Sequence, residues 1–468
     1  LSDYLPVFWN DATGYWLWIR QFSHYGLGGG YNFPNELMMP AAFNHFGEGS
    51  PLYIYFYGMI GYLFGWLPHL PILVNFALII ISVYAFSRLM RLDTSQNLVL
   101  ALVMAVSWPV MIFAATTSHE SLNQAIAVVF AGILLRLRQA KRVNPAAAFL
   151  IALFAFFAGM LRLSWVILFL PLFYYLVPGS AIRKMLGSLL LSGILAIGIV
   201  LLTQLLVPPI NNSIFSALGN ERGLLFGLQL QFMAQIKKLV LLQRFVPGIA
   251  IIFLLIMLLV YSIRESLPLL RQKMRFDDLL KSQTFFDIYN VLALLLAGMT
   301  LYLADGFYRV FFAPLMVSAF MRIAEKEYGF VWRMAFFSIL FAPVMLTGQG
   351  DWPGAKLNYT YRPPELIALQ DALAERVTYD ESTKNPWCNT ILISLDFYDA
   401  RLAGLRPGIG VSYIRSHPLP NVPIQSKYLF LHEKDYTELI EQNALQAELL
   451  AELPIGTLHR NLDSNCTP

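Results

Sequence analysis

Long apolar runs constrain this chain more than any other feature. Ten stretches are apolar for long enough to cross a bilayer as helices: residues 70–87, 97–115, 121–137, 145–161, 163–178, 185–207, 247–263, 286–304, 306–322 and 329–346. Spanning a hydrocarbon core about 30 Å thick takes about 20 residues at about 1.5 Å each. Only 13% of the 468 residues are charged, against roughly 25% in soluble domains. The sequence therefore predicts an α-helical polytopic membrane protein with about ten spans.

Lysine and arginine fall in every second connection between these runs. They are Arg88 and Arg91, then Arg136, Arg138, Lys141 and Arg142, then Arg183 and Lys184, then the segment 264–281, then Arg322 and Lys326. The positive-inside rule assigns all of these connections to the cytoplasm. Residues 1–69, the tips near Glu120 and Asp305, the segment 208–246 and everything after about 347 are then predicted to be extracytoplasmic.

Two apolar segments do not fit as spans. A crossing at residues 50–68 would put either the first 50 residues or Arg88 and Arg91 on the wrong side. Its tyrosines, tryptophan and glycines favour a juxtamembrane helix at headgroup depth. The segment 222–246 is a second candidate of this kind. Because the sequence begins at Leu1 without a methionine, we also expect one more span upstream.

The composition changes after residue 346. The stretch "TGQGDWPGAKLNYTYRPP" is a linker rich in glycine and proline, and beyond it charged and apolar residues alternate as in a soluble domain. "PPELIALQDALAERV" predicts a helix, and "NTILISL", "GVSYIRS", "KYLFLHE" and "GTLHRNL" predict strands. We therefore expect three regions: a first extracytoplasmic loop over 1–69, a transmembrane domain over 70–346 and a small extracytoplasmic α/β domain over 347–468.

Both cysteines of the chain, Cys388 and Cys466, lie in this last region. In an oxidising compartment a disulfide is the default expectation, and it would stabilise the domain by roughly 4 kcal/mol in the chain-entropy model. Two free thiols are the alternative.

Several classes of function are excluded by missing signatures. "GLGGGY" at 26–31 lacks the dinucleotide-binding spacing, and there is no P-loop or Gly-x-Ser-x-Gly elbow. The seven histidines show no i, i+4 pairing. The net charge is only +4, and basic residues do not alternate with aromatic ones, so nucleic acid is not an expected partner.

A set of polar residues lies at the predicted outer ends of the spans instead: Asp11, Glu36, Glu48, His119, Glu120, Arg162, Asp305 and Arg309. Ionisable groups at this depth are functional candidates. Each also has a structural explanation: Asp11 and Glu120 can serve helix N-termini, Arg162 can extend to the interface, and Asp305 and Arg309 are spaced as an i, i+4 ion pair. A secondary transporter would have internal repeats and ionisable residues at the midplane of its spans, and we find neither; the unusual charges lie at this one face.

The order of these motifs resembles the C-type glycosyltransferase (GT-C) superfamily, membrane enzymes that use lipid-linked sugars. The carrying segments are Asp11 leading "YWLWIRQF", then "GSPLYIYFYGMIGYLFG", "SHESLNQAIAVVFAGILL", "GMLRLSWVILFLPLFYYL" and "DGFYRVFFAPLM". In that family an acidic residue followed by tyrosine opens the first outer loop, and a later loop holds an arginine before a span with proline. Here Ala12 follows Asp11 where many members have a second acid, and "RLSW" replaces an "RPT"-like stretch.

The resemblance implies an inverting transfer of sugar from a polyprenyl-phosphate donor to a glycan, lipid or protein acceptor. It agrees with chemistry, since nucleotide sugars are absent outside the cytoplasm. The acceptor hydroxyl needs a carboxylate base, assigned to Asp11, and the leaving phosphate needs arginines, assigned to Arg309 and Arg162. Further substrate contacts are assigned to the following residues: Tyr15, Glu36, Glu48, His119, Glu120 and Asp305. No spacing selects a metal, although the shared side of these acids leaves a divalent cation open.

This interpretation places the chain in a membrane, expected to be a bacterial cytoplasmic (inner) membrane, in cell-envelope glycan synthesis. Three alternatives stay open: a lipid or glycan transporter or flippase, a polysaccharide polymerase or ligase of related fold, and a non-catalytic assembly protein that binds partners through its C-terminal domain.

Overall fold

The computed structural model describes residues 4–5, 10–28, 51–140, 143–206, 223–240, 246–271, 276–300, 311–347, 360–361, 364–414, 423–443 and 445–466. Helices dominate up to residue 347, and a mixed sheet follows. The helices of the first part are α1 (Asn10–Tyr25), α2 (Leu52–Phe64), α3 (Leu70–Met90), α4 (Thr94–Val106), α5 (Trp108–Ala114), α6 (Glu120–Gln139), α7 (Pro145–Leu161), α8 (Phe169–Leu176), α9 (Ala181–Leu206), α10 (Leu224–Val240), α11 (Val246–Arg271), α12 (Phe276–Leu280), α13 (Gln283–Thr300), α14 (Phe312–Ala324) and α15 (Tyr328–Thr347).

All ten predicted spans coincide with helices, but they are not ten helices of membrane-crossing length. In the described part of the chain, length and apolarity qualify four helices: α3, α6, α9 and α11. A fifth follows if α4 and α5 count as one span, although they are bent by 66° at the break. The other predicted spans are apolar helices of 10–17 residues in the described part of the chain, so helix length supports four or five of the ten predicted spans and the others stay predictions.

Local chain breaks explain the shorter helices. Ser107 has an extended backbone and separates α4 from α5, which begins with Trp108 and Pro109; proline is accepted in the first turn of a helix, where its missing N–H has no helical partner to lose. Arg162 is also extended, with φ −154° and ψ 122°, and a 3-10 segment, Leu163–Leu168, follows it. The apolar sequence thus continues across residues 107 and 162, although the helices end there.

α2 was predicted to be a juxtamembrane helix, and its length agrees. Its 13 residues extend roughly 20 Å, less than the hydrocarbon thickness. Tyr53 and Tyr57 are buried against the protein, whereas Tyr62, Leu63 and Phe64 are exposed. An apolar exposed face on a short helix suits the membrane interface.

The C-terminal domain contains helices α16 (Pro364–Arg376) and α17 (Glu433–Asn443) and strands β3 (Thr390–Ser394), β4 (Gly410–Ile414), β5 (Tyr428–Leu431), β6 (Ala447–Leu453) and β7 (Gly456–Asn461). The sheet order is β4-β3-β5-β7-β6, with β3 parallel to β4 and β5 and the remaining pairs antiparallel. The helix at 364–376 and four strands confirm the sequence predictions. The sequence analysis missed β6 and α17.

The disulfide joins Cys388, just before β3, to Cys466 after β7. It ties the end of the described chain to the start of β3, which lies between β4 and β5 in the sheet. A second link involves a short pair, β1 (Tyr4–Leu5) with β2 (Thr360–Tyr361), in antiparallel register. The start of the chain therefore pairs with the segment that leads into the C-terminal domain.

Candidate active site

α1 is packed between the helical part and the C-terminal domain. Trp18 and Phe22 lie in one cluster with Tyr53 and Ile54 of α2. Gly58 permits this approach, because a Cβ there would lie 2.6 Å from Phe22 Cδ1. The aromatic rings on this face of α1 therefore have protein partners rather than lipid.

The opposite face of α1 enters the core of the C-terminal domain. Trp16 and Leu17 belong to the cluster formed by the sheet and α16. Arg20 donates hydrogen bonds to the carbonyl oxygens of Ala403, at 2.9 Å, and Leu405. Its guanidinium also lies 4.9 Å from the Trp16 ring centroid. α1 and the C-terminal domain must therefore lie on the same side of any membrane.

Burial changes the acidity of Arg20. Loss of hydration lowers the pKa of its guanidinium to about 10, because a low-dielectric environment disfavours the charged form. The side chain stays protonated at neutral pH and can donate to both carbonyls. It fixes α1 to the loop before β4.

A buried ion pair lies at the outer ends of α6 and α7. Arg162 Nη1 and Nη2 donate to Glu120 Oε2 and Oε1 at 2.6 and 2.7 Å. Glu120 begins α6, where the helix dipole favours an acid, and Arg162 follows the last residue of α7. The chain turns before the start of α6 and after the end of α7, and these two turns place the side chains of Glu120 and Arg162 in contact.

His119 is the third member of this group. Arg162 Nη2 lies 2.8 Å from His119 Nε2. An arginine has only donors, so Nε2 must accept and the ring proton of a neutral imidazole resides on Nδ1. Arg162 therefore fixes the tautomer of His119 as well as holding Glu120.

Two tyrosines enclose the histidine. The Tyr53 ring stacks on His119 with centroids 4.4 Å apart, and the Tyr15 ring meets it edge-on at 4.9 Å. Tyr15 and Tyr53 are also in edge contact, at 5.0 Å. We call Tyr15, Tyr53, His119, Glu120 and Arg162 the outer cluster.

Asp11 lies on the helix that covers the outer cluster. It is in the first turn of α1, four residues before Tyr15. Thr117 Oγ1 donates to the carbonyl oxygen of the next residue, Ala12, at 2.8 Å. The backbone around Asp11 is therefore attached to the turn that leads into Glu120.

The structure brings together four of the predicted site residues, Tyr15, His119, Glu120 and Arg162, with the backbone of Asp11 beside them. Four others lie outside the described residues: Glu36, Glu48, Asp305 and Arg309. The sequence analysis missed Tyr53, although the "PLYIYFYG" motif contains it, and Thr117. The sequence analysis assigned Arg162 to the leaving phosphate. In the structure, both of its terminal nitrogens instead donate to Glu120.

A second buried charge network lies at the other end of the helices. Arg322 of α14 contacts Asp287 of α13, Glu265 of α11 and Glu327, at 2.7, 2.9 and 2.9 Å. Asp287 also accepts a hydrogen bond from Gln283. The statement that ionisable residues occur only at the outer face is therefore wrong, because Asp287 lies within a predicted span. Because the Asp287 carboxylate contacts Arg322 of α14 and Gln283 of its own helix, it links α13 to α14.

The positions of the described side chains do not indicate a bound metal ion. Within the described ranges, no three histidine, cysteine or acidic side chains are arranged to hold a metal. Glu120 is engaged by Arg162.

Models of known protein families give no match to this chain, and a comparison with curated proteins gives no significant match. Among solved structures, the chain is similar to the Archaeoglobus fulgidus oligosaccharyltransferase in complex with zinc and sulfate, at 13% identity and a TM-score of 0.46. This match covers 94% of the chain and 66% of the other, so the chain spans about two thirds of that enzyme's length.

The chain is also similar to ArnT from Cupriavidus metallidurans. The form bound to undecaprenyl phosphate matches at 14% identity and a TM-score of 0.43, and the apo form at 13% and 0.41. Both matches cover 100% of this chain and 96% of the other. These similarities agree with the resemblance predicted from the sequence. Similarities of this size carry no information on the substrate or on the role of any residue.

Proposed function

We propose that this chain is an inverting glycosyltransferase that moves a sugar from a polyprenyl-phosphate donor to an acceptor hydroxyl at the extracytoplasmic side of a membrane. The observation that carries the proposal is the outer cluster, in which a desolvated Glu120–Arg162 pair and a fixed His119 lie beside α1, whose first turn contains Asp11.

The burial of this ion pair favours a site over a structural support. Glu120 is 1% exposed. Desolvating two charges costs about as much as their attraction returns, so a buried pair adds little to stability compared with apolar residues of similar size. Charges at this depth are more readily explained by substrate chemistry.

The surroundings suit a sugar. The half-buried Tyr15 contributes an aromatic ring at this end of the helices, and the C-terminal domain contacts α1 through Arg20. The apolar helix surfaces below can accommodate a lipid tail. A donor with an apolar chain and a polar head matches this combination.

In the proposed reaction the acceptor oxygen attacks the anomeric carbon as the bond from that carbon to the phosphate oxygen breaks. Asp11 accepts the acceptor's proton, and the polyprenyl phosphate leaves with the bonding electron pair. Arg309 neutralises the charge that develops on this phosphate. Because Glu120 occupies Arg162, Arg162 acts chiefly by orienting His119 and Glu120.

The decisive experiment compares Asp11→Asn with the unmodified protein in proteoliposomes supplied with polyprenyl-phosphate sugars. Asparagine caps a helix as well as aspartate but cannot take a proton. We expect normal expression and a fall in turnover of at least about a hundredfold. Wild-type turnover in Asp11→Asn would assign Asp11 to a capping role and direct the search for the base to Glu36 or Glu48.

A further inference from the structure

A separate cavity lies among α8, α9, α12 and α13, which contribute no residue to the outer cluster. It has a volume of about 160 Å³, similar to apolar cavities of about 150 Å³ that stay dry and bind small apolar groups. Its wall includes Leu170, Tyr174, Met185, Ser188 and Phe286. The predicted topology places this end of the helices at the cytoplasmic side.

Two polar side chains in this wall already have hydrogen-bond partners within the protein. Ser188 donates its hydroxyl to the Met185 carbonyl at 2.9 Å, and Tyr289 donates to the Ile167 carbonyl at 2.7 Å. The remaining wall is aliphatic or aromatic. Water is poorly held where polar groups are already paired, so an apolar chain suits the cavity better than solvent.

The cavity is close to the lipid-facing surface. Met185 is 38% exposed, and its neighbours on α9, Leu186 and Leu189, are exposed to 60% and 52%. Exposed leucines on a helix of membrane-crossing length face lipid chains. A chain from the surrounding lipid would therefore enter between α8 and α9 without crossing polar protein.

Basic residues lie close to the lining of the cavity. Lys184 Nζ lies 5.6 Å from the centroid of the Tyr174 ring, which lines it. Lys281 directly follows the lining residue Leu280. Arg183 is exposed beside Lys184. These cations suit an anionic headgroup at the end of an apolar chain.

We propose that this cavity binds one acyl chain of an anionic phospholipid, with the headgroup phosphate held at Lys184 and Lys281. The site is independent of the proposed transferase reaction. It would anchor α9, which has little other burial, to α8 and α13 through a bound lipid.

Native mass spectrometry of the full chain, titrated in detergent with phosphatidylglycerol or phosphatidylcholine, tests this proposal. We expect tighter retention of phosphatidylglycerol. Lys184→Gln should weaken that retention about fivefold and leave phosphatidylcholine unchanged. Arg88→Gln, which removes an exposed cation of another predicted cytoplasmic connection, should have no effect.

A second pair of variants tests the cavity itself. Ser188→Trp fills it and should abolish retention, whereas Leu190→Trp, on the exposed face of α9, should not. Equal retention of the two phospholipids, or full retention in Ser188→Trp, would overturn the proposal. Displacement of phosphatidylglycerol by an equimolar polyprenyl phosphate would assign the cavity to the donor's tail instead. Lys184→Gln decides the headgroup question even if Ser188→Trp does not fold.

Discussion

Removing one partner of the Glu120–Arg162 pair should separate its structural cost from its functional use. The two side chains are 2% and 13% exposed and are joined by contacts of 2.6 and 2.7 Å. Glu120→Leu would leave the Arg162 charge buried without its carboxylate, at a cost of about 3 kcal/mol. At roughly 2 °C per kcal/mol for a large domain, the unfolding midpoint should fall by about 6 °C.

The double variant Glu120→Leu with Arg162→Met replaces both charges by apolar groups of similar volume. Its unfolding midpoint should return to within about 2 °C of the unmodified protein, because an apolar pair is at least as stable as a buried ion pair. Its transfer activity should nevertheless be lost, since His119 would no longer be oriented.

Differential scanning fluorimetry in detergent and sugar transfer in proteoliposomes measure these two quantities on the same preparations. Wild-type transfer by the stable double variant would refute a functional role for the pair. An unchanged midpoint in Glu120→Leu would refute the argument that the pair is desolvated.

Three further predictions concern other parts of the chain. Arg309→Lys should retain more transfer activity than Arg309→Ala, because lysine keeps the charge but loses the planar fork; equal rates would argue against phosphate binding there. Cys388→Ser should destabilise the C-terminal domain by roughly 4 kcal/mol, and mass analysis after alkylation without reductant should find no free thiol in exported protein. Burial lowers the pKa of His459 below its usual 6.5, so its contribution to stability is present above about pH 6.5 and is lost as the pH falls. His459→Phe should remove this acid sensitivity in thermal unfolding at about pH 7.5 and pH 5.5.

The His459 prediction has a structural basis. Its ring stacks on Tyr436 at 3.9 Å, and neither ring nitrogen has a hydrogen-bond partner in the described part of the chain. Phenylalanine would preserve the stacking without two unpaired polar atoms. An unchanged pH dependence in His459→Phe would show that another group controls the acid response.

The helical class and most elements of the C-terminal domain were predictable, because each depends on local periodicity and on glycine or proline at its ends. The ionisable residues of the outer cluster were also predictable, since helix ends concentrate ionisable groups, whereas Tyr53 was missed. The lengths of the helices were not predictable, because apolar composition continues through the breaks at Ser107 and Arg162. β6 was missed because its burial alternates irregularly across a bulge between Leu449 and Ala451.

Contacts between segments that are far apart in the sequence could not be recognised from the local sequence pattern. Arg20 resembled an ordinary polar residue in an aromatic stretch, and only the fold shows its partners in the loop before β4. Asp287 did carry a signal, because an acid inside an apolar run is unusual. Its partner Arg322 was attributed to a cytoplasmic connection, so the pairing escaped notice.

The hydrogen bond from Arg20 to Ala403 joins residues 383 positions apart, which has a consequence for biosynthesis. At about 5–20 residues per second, roughly 20–80 s separate the synthesis of α1 from that of its docking loop. During that interval Leu17 and the part of Trp16 that packs in the C-terminal domain lack that partner surface, although Trp16 also contacts Trp66 and Pro68. α1 therefore reaches its final position only after the C-terminal domain has been made, and stalled or truncated chains would leave this face of it exposed.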